Sequence, residues 1–158
     1  EADGKPIALG EAVRRAKNEM NGKSLADMIG HRNAAMSVIR ALHKKGIVAF
    51  LVDHNTSSSE AEFLPFLGEV AAVNMGPALL AVRTKALVWP VVLIRDGSDY
   101  VFRLKEPLDT AELEGSREEQ IKSAAAFYTK AIEEFIRENP EQWFWMHDRW
   151  KTKKRPNS

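Results

Sequence analysis

Six consecutive apolar residues, Ile47-Val48-Ala49-Phe50-Leu51-Val52, run without a polar interruption and close on Asp53. A strand with one wet face alternates apolar and polar side chains. An unbroken run instead fits a strand buried on both faces, the pattern of a parallel sheet covered by helices. Leu87 to Ile94 gives a second such strand, with Pro90 inside it. Asp96-Gly97 then turns the chain into Tyr100 to Leu104, an antiparallel edge hairpin.

Helical patterns surround these runs. Val13, Ala16 and Met20 mark one face over Gly10 to Met20, and a weaker signal over Ala26 to Ile29 reads as a short strand. Asn33 suits an N-cap for a helix whose apolar face is Ala35, Val38, Ile39 and Leu42, with Gly46 ending it after Lys44 and Lys45. Gly76-Pro77 opens a helix through Thr84. The longest pattern starts at a Ser116/Glu119 capping box, buries Ile121, Ala125, Tyr128, Ile132 and Phe135, and stops at Asn139-Pro140. This order implies an α/β fold, a mostly parallel sheet flanked by helices, in a single domain spanning 1–158 with a basic tail over 151–158.

Composition removes several kinds of chemistry. The chain has no cysteine, so thiolate nucleophiles, disulfides and cysteine zinc sites are excluded. A net charge of +1 argues against a nucleic-acid partner. No apolar run approaches the roughly 20 residues of a spanning helix. There is no nucleophile elbow, no phosphate-binding glycine loop and no H-E-x-x-H spacing, so neither metal nor cofactor is expected.

What remains is a short set of candidates. Asp53-His54 ends the first apolar run, where α/β folds place ligand sites; the alternative is a turn aspartate beside an exposed histidine. Phe63 to Gly68 reads either as the lining of an apolar groove or as core packing under a loop. Trp143, Phe144, Trp145 and Trp150 precede Lys151, Lys153, Lys154 and Arg155. Tryptophan favours the membrane interface and clustered cations favour anionic headgroups, although such residues also close cores and form solvated tails.

The string Asn139-Pro140-Glu141-Gln142-Trp143-Phe144-Trp145-Met146-His147-Asp148-Arg149-Trp150-Lys151 resembles the C-terminal signature of lipid A late acyltransferases. Asp53 with Phe63-Leu64-Pro65-Phe66-Leu67-Gly68 is similar to that family's aspartate loop and phenylalanine-glycine segment. Asn74-Met75-Gly76-Pro77-Ala78, Arg83-Thr84 and Val88-Trp89-Pro90-Val91 resemble the stretches that follow. The match runs in order from about Asn33 to Lys151.

The resemblance implies a glycerolipid-acyltransferase type of fold, here truncated at its N-terminus. It also implies transfer of a fatty acyl group from acyl carrier protein to a hydroxyl of a lipid A precursor. The place of action would be the cytoplasmic face of the bacterial inner membrane, with this chain peripheral. Phe66, Gly68 and Asn74 become expected substrate-binding residues. Trp143, Trp145, Trp150, Lys151, Lys153, Lys154 and Arg155 become expected contacts to an anionic membrane surface.

The family's catalytic box is a histidine followed five positions later by an acid. Five positions after His31, His43, His54 and His147 stand Met36, Val48, Ser59 and Thr152. No catalytic base is therefore assigned, Asp53 stands as a candidate site residue only, and the isolated chain is expected to be inactive. The other readings are acyl transfer to a different glycolipid or glycerolipid, and a non-catalytic lipid-binding module.

Overall fold

The computed structural model describes residues 34–57 and 61–154. The chain divides into two compact units, Glu1–Ala34 and Ala35–Ser158. The expected helix over Gly10 to Met20, the short strand over Ala26 to Ile29, the Asn33 cap and Arg155 lie outside the described residues.

Helix α1 (Ala34–His43) buries Val38 and Ile39 on one face, as the spacing predicts. Its end differs from expectation in detail. Lys45, not Gly46, takes the left-handed conformation (φ +59°). The N–H groups of Lys45 and Gly46 return to the carbonyls of Leu42 and Ala41, each at 2.9 Å. Gly46 is needed for closeness, because a Cβ there would stand 2.9 Å from the Ala41 oxygen. Helix α2 (Gly76–Thr84) ends in the same way, on Lys85 at φ +54°. Buried Thr110 donates its hydroxyl to the carbonyls of Ala81 and Ala86 at 3.1 and 2.8 Å, closing the end of α2.

The fold is mixed α/β, but its strands do not form a parallel sheet. β1 (Ala61–Phe66) pairs antiparallel with β2 (Glu69–Asn74), from Phe66 opposite Glu69 to Ala61 opposite Asn74. β3 (Leu87–Val88) pairs antiparallel with β6 (Leu108–Asp109), and β4 (Val91–Asp96) with β5 (Asp99–Leu104). Among the described residues every ladder is antiparallel, in three two-stranded sheets. Pro90 splits the second apolar run into β3 and β4, since it has no N–H for a ladder. Gly97 (φ +61°) then brings β5 straight back, a far shorter closure than a crossover to a distant parallel partner.

The first run forms no strand at all. Ile47 is 85% and Leu51 84% exposed, and none of residues 47–52 enters a ladder. An apolar run expresses a preference for burial but does not supply the partner that satisfies it.

The β1–β2 hairpin was not foreseen. Its turn places both Leu67 (φ +53°) and Gly68 (φ +85°) in the left-handed region, the signature of a tight hairpin turn. Leucine is an expensive choice there. Two contacts hold it: its side chain packs against the Phe66–Ala71–Ile136 cluster, and its N–H donates to Glu133 Oε2 at 2.9 Å.

Glu133 sits on helix α3 (Arg117–Glu138), the longest element. The predicted capping box is present: Ser116 Oγ accepts from the Glu119 N–H, and Glu119 accepts from the Ser116 N–H. The buried face carries Ala124, Ala125, Tyr128, Thr129, Ala131, Phe135 and Ile136, while Ile121 and Ile132 are half-buried. Ala124 and Ala125 pack with Ala78, Val73 and Val82, so small residues let α2 and β2 approach α3 closely. Tyr128 gives its hydroxyl to the Asn74 carbonyl, and burial raises its pKa above the ordinary phenol value.

The Glu133 contact makes a pH prediction. The Leu67 N–H, and secondly Arg137, hold the Glu133 carboxyl below its ordinary pKa. A depressed carboxylate stabilises the fold above its unfolded pKa, and the benefit is lost as pH falls through the folded one. Glu133→Gln should lower urea-measured stability by about 0.5–1 kcal/mol near neutral pH. The gap should close when unfolding is repeated near pH 3.

Candidate functional site

Residues 53–56 follow the exposed apolar run directly and are held by residues about ninety positions away. Trp143 Nε1 donates to Asp53 Oδ2 at 3.2 Å. His147 Nε2 lies 3.2 Å from the Asp53 carbonyl oxygen, and its Nδ1 lies 2.7 Å from the Phe144 carbonyl oxygen. Asn55 Nδ2 donates to Thr152 Oγ1 at 3.0 Å, the Thr152 N–H donates to Asn55 Oδ1 at 3.2 Å, and the Thr152 hydroxyl donates to the Thr56 carbonyl at 2.8 Å. Side chain and main chain of the Asp53 loop are thus both tied to the Trp-rich segment.

That segment follows α3 through a 3₁₀ turn, Pro140–Gln142. Asn139-Pro140 ends the helix as the sequence predicts. Gln142 then uses its amide as a peptide group would: it accepts from the Arg95 N–H at 2.7 Å and donates to the Arg95 carbonyl at 3.0 Å. This pairing docks the turn on β4.

Beneath the loop lies an aromatic cluster. Trp143 meets Phe66, Trp145, His147 and Trp150 at ring-centroid distances of 5.9, 4.5, 5.0 and 6.3 Å, all edge-to-face. Arg149 is buried inside it, with its guanidinium 5.0 Å from the Phe66 ring centroid. Its Nη1 donates to the Ala72 carbonyl at 2.7 Å, while its Nε finds no acceptor. Burial lowers the Arg149 pKa, and the Asp53 carboxylate opposes that shift. A guanidinium remains charged, so Asp53 supplies its nearby countercharge.

A groove of about 250 Å³ opens beside this cluster. Phe50, Leu51, Leu93, Ile132 and Phe135 contribute apolar walls, and Asp53, Asn139, Gln142 and Trp143 bring polar groups to the lining. Among the described residues no group of three or more His, Asp or Glu side chains gathers as metal ligands would. No helix among them is long and apolar enough to cross a membrane.

The expected substrate-binding residues lie apart from one another. Phe66 is 1% exposed inside the aromatic cluster, and Gly68 forms the adjacent hairpin turn. Asn74 stands at the opposite end of the hairpin, five residues beyond the partner of Phe66. At about 3.4 Å per residue that is roughly 17 Å away. There Asn74 Oδ1 accepts the Gly76 N–H at 2.8 Å. His54 is exposed beside Asp53.

The expected membrane-contact residues divide as well. Trp143 and Trp150 turn inward, Trp145 is 53% exposed, and Lys151, Lys153 and Lys154 are exposed. Phe144 (68%) and Met146 (86%) are more exposed than any tryptophan. Phe144 was named with the tryptophans as part of the aromatic stretch, whereas Met146 carries no composition signal of its own. Gln142 and Thr152 were also without a role, since ordinary polar residues carry no signal for contacts so remote in sequence.

The class of protein follows from direct comparison of the sequence. Residues 12–152 match the bacterial lipid A biosynthesis acyltransferases, and the chain belongs to that family. It is 32% identical over 141 residues to the lipid A biosynthesis lauroyltransferase of Escherichia coli K12, covering 84% of this chain and 42% of that protein. It is 33% identical over 127 residues to the palmitoleoyltransferase of the same organism, covering 80% and 40%. A lipid A biosynthesis acyltransferase of Shigella flexneri gives the same figures, 33% identity with 80% and 40% covered. The chain therefore spans about two fifths of the length of these relatives.

Docking through Gln142 yields a second prediction. Gln142→Leu keeps the bulk but removes both bonds to Arg95, leaving the turn free to lift from β4. It should cost about 1–2 kcal/mol in urea unfolding. A loss no larger than that of Glu141→Leu, measured in parallel, would show that the amide pairing contributes nothing.

Proposed function

We propose that this chain forms part of the acyl-transfer site of a lipid A acyltransferase, with Asp53 as its principal polar residue. The observation that carries this reading is a carboxylate held by a hydrogen bond in the lining of a mostly apolar groove, in a chain of that family. A fatty acyl donor presents a long hydrocarbon and one electrophilic carbonyl, so it suits an apolar channel ending in a few polar groups. The donor in this reading is an acyl thioester of acyl carrier protein, and the acceptor is a hydroxyl of a lipid A precursor.

Transfer needs a base for the acceptor hydroxyl, and general-base catalysis typically contributes about 10²–10⁴-fold. No histidine of this chain has an acid five positions later. His147 is engaged by two carbonyls and is not given that role. The isolated chain is accordingly inactive in this proposal. Asp53 accepts a hydrogen bond from the acceptor and orients it.

The test is a chimera in which residues 34–154 replace the matching segment of the E. coli lauroyltransferase. It should transfer lauroyl groups from acyl carrier protein to a lipid A precursor, while the purified chain alone should not. Asp53→Asn in the chimera should lower kcat by about 10²-fold, the order expected from a misplaced reactant, with the variant still folding cooperatively. Full activity in that variant would reduce Asp53 to a turn residue.

The same proposal places the chain against the cytoplasmic face of the inner membrane as a peripheral contact. The Phe144-Trp145-Met146 tip meets the interface, and Lys151, Lys153 and Lys154 face anionic headgroups. Each such cation is worth about 1 kcal/mol near an anionic surface. The chain should co-sediment with vesicles containing anionic lipid and dissociate as salt rises. Changing Lys151, Lys153, Lys154 and Arg155 to Ser should abolish this binding; equal binding by both proteins would leave the tail a solvated end.

A further inference from the structure

We infer that Trp143 and His147 are positioning residues for Asp53: the indole N–H of Trp143 fixes one carboxylate oxygen, and the His147 ring fixes the Asp53 main chain. The assignment rests on the Asp53 reading above and goes beyond it, by naming the groups that set where the carboxylate points.

The residues around Asp53 leave it little other support. The apolar run before it forms no ladder, so the aspartate is not held by a strand of its own. An indole N–H is a donor only, so what it can hold in this orientation is an acceptor, and a carboxylate is the strongest acceptor a side chain offers. It takes Oδ2; among the described residues no donor reaches Oδ1. In this reading Oδ1 is the oxygen offered to a substrate hydroxyl.

The indole itself has little freedom. Phe66, Trp145, His147 and Trp150 surround it with edge contacts. The donor is therefore aimed before any ligand arrives, and Asp53 has little further freedom to lose on binding. His147 adds a second restraint from the same segment, and Arg149 contributes a fixed positive charge. A Trp-x3-His spacing, followed two residues later by Arg149, delivers all three groups to one loop.

The contact can be read without turnover. A chain carrying ¹⁵N-labelled indoles gives four Nε1–H signals, one per tryptophan, and Trp143→Phe assigns the relevant one. In the wild type this signal should lie downfield, as an N–H bonded to a carboxylate does. In Asp53→Asn it should move upfield, although His147 and Arg149 are still present. The Trp145 signal, whose N–H is bonded to the Pro140 carbonyl, should be indifferent to the substitution. A Trp143 signal at the same position in Asp53→Asn overturns the contact, and circular dichroism confirms that the isosteric variant is folded.

The role is read in the chimera. Trp143→Phe and Asp53→Asn should each lower kcat and leave KM for the donor unchanged. The double variant should stay within about twofold of the worse single variant, the mark of residues acting as one unit. Multiplying effects, or unchanged kcat in Trp143→Phe, overturn the positioning role while leaving the Asp53 reading intact. Full activity of Asp53→Asn, with the indole signal still moved upfield in that variant, overturns both the Asp53 reading and the role built on it, and leaves only a structural hydrogen bond.

Discussion

The junction between residues 53–56 and 143–152 is the contact on which the rest of the site depends. It joins two stretches with no regular structure of their own, one before the β1–β2 hairpin and one after α3. Such stretches carry backbone groups that need partners, and burying them unpaired would cost on the order of 1–3 kcal/mol each. Here Asn55, Thr56 and Thr152 satisfy one another, and Trp143 and His147 satisfy Asp53. Closing a loop of this length is costly only logarithmically, so a few well-made polar contacts suffice to hold it. The groove exists because this closure brings Phe50 and Leu51 alongside Leu93 and Phe135.

Arg149 shows how the same junction is anchored from below. A buried guanidinium is among the most demanding groups a core can hold. It is accommodated by an aromatic face, one carbonyl and a nearby carboxylate, and still leaves Nε without a partner. Removing the Asp53 charge therefore disturbs two things together, the hydrogen bond at Trp143 and the electrostatic balance of Arg149. For that reason the isosteric asparagine, which keeps the shape, separates chemistry from folding better than a truncation would.

Local signals in the sequence were legible where they rest on short-range physics. The Ser116–Glu119 box, the Gly76-Pro77 helix start, the Asp96-Gly97 turn and the Asn139-Pro140 stop all concern residues within one turn of each other. The antiparallel pairing was not legible, because Ile47 to Val52 and Leu87 to Ile94 declare an apolar preference and nothing about pairing. The β1–β2 hairpin was hidden for a different reason. Its turn is Leu67-Gly68 rather than asparagine-glycine, and the leucine is stabilised by Glu133, 66 residues away. Of the site, Asp53 was marked by its position at the end of an apolar run. Of the residues that hold it, Trp143 was marked as a membrane contact and His147 as a histidine outside the catalytic box.

The four tryptophans explain why that marking was ambiguous. Each offers a large apolar surface and a single donor, and the surroundings decide which property matters. Trp143 uses both, with its ring in the cluster and its N–H on Asp53. Trp145 gives its N–H to the Pro140 carbonyl and keeps half its surface in solvent, while Trp150 buries its N–H with no acceptor. Trp89, far from this segment in sequence, is 40% exposed. A residue type enriched at membrane surfaces is thus divided here between an inner scaffold and an outer tip. Residues 143, 147, 149 and 150 turn toward Phe66 and Asp53, Phe144 and Met146 face solvent, and Trp145 does both, with its ring against Trp143 and half its surface exposed. The two functions proposed for the segment, aiming a carboxylate and meeting a bilayer, can coexist because they draw on different surfaces of one short loop.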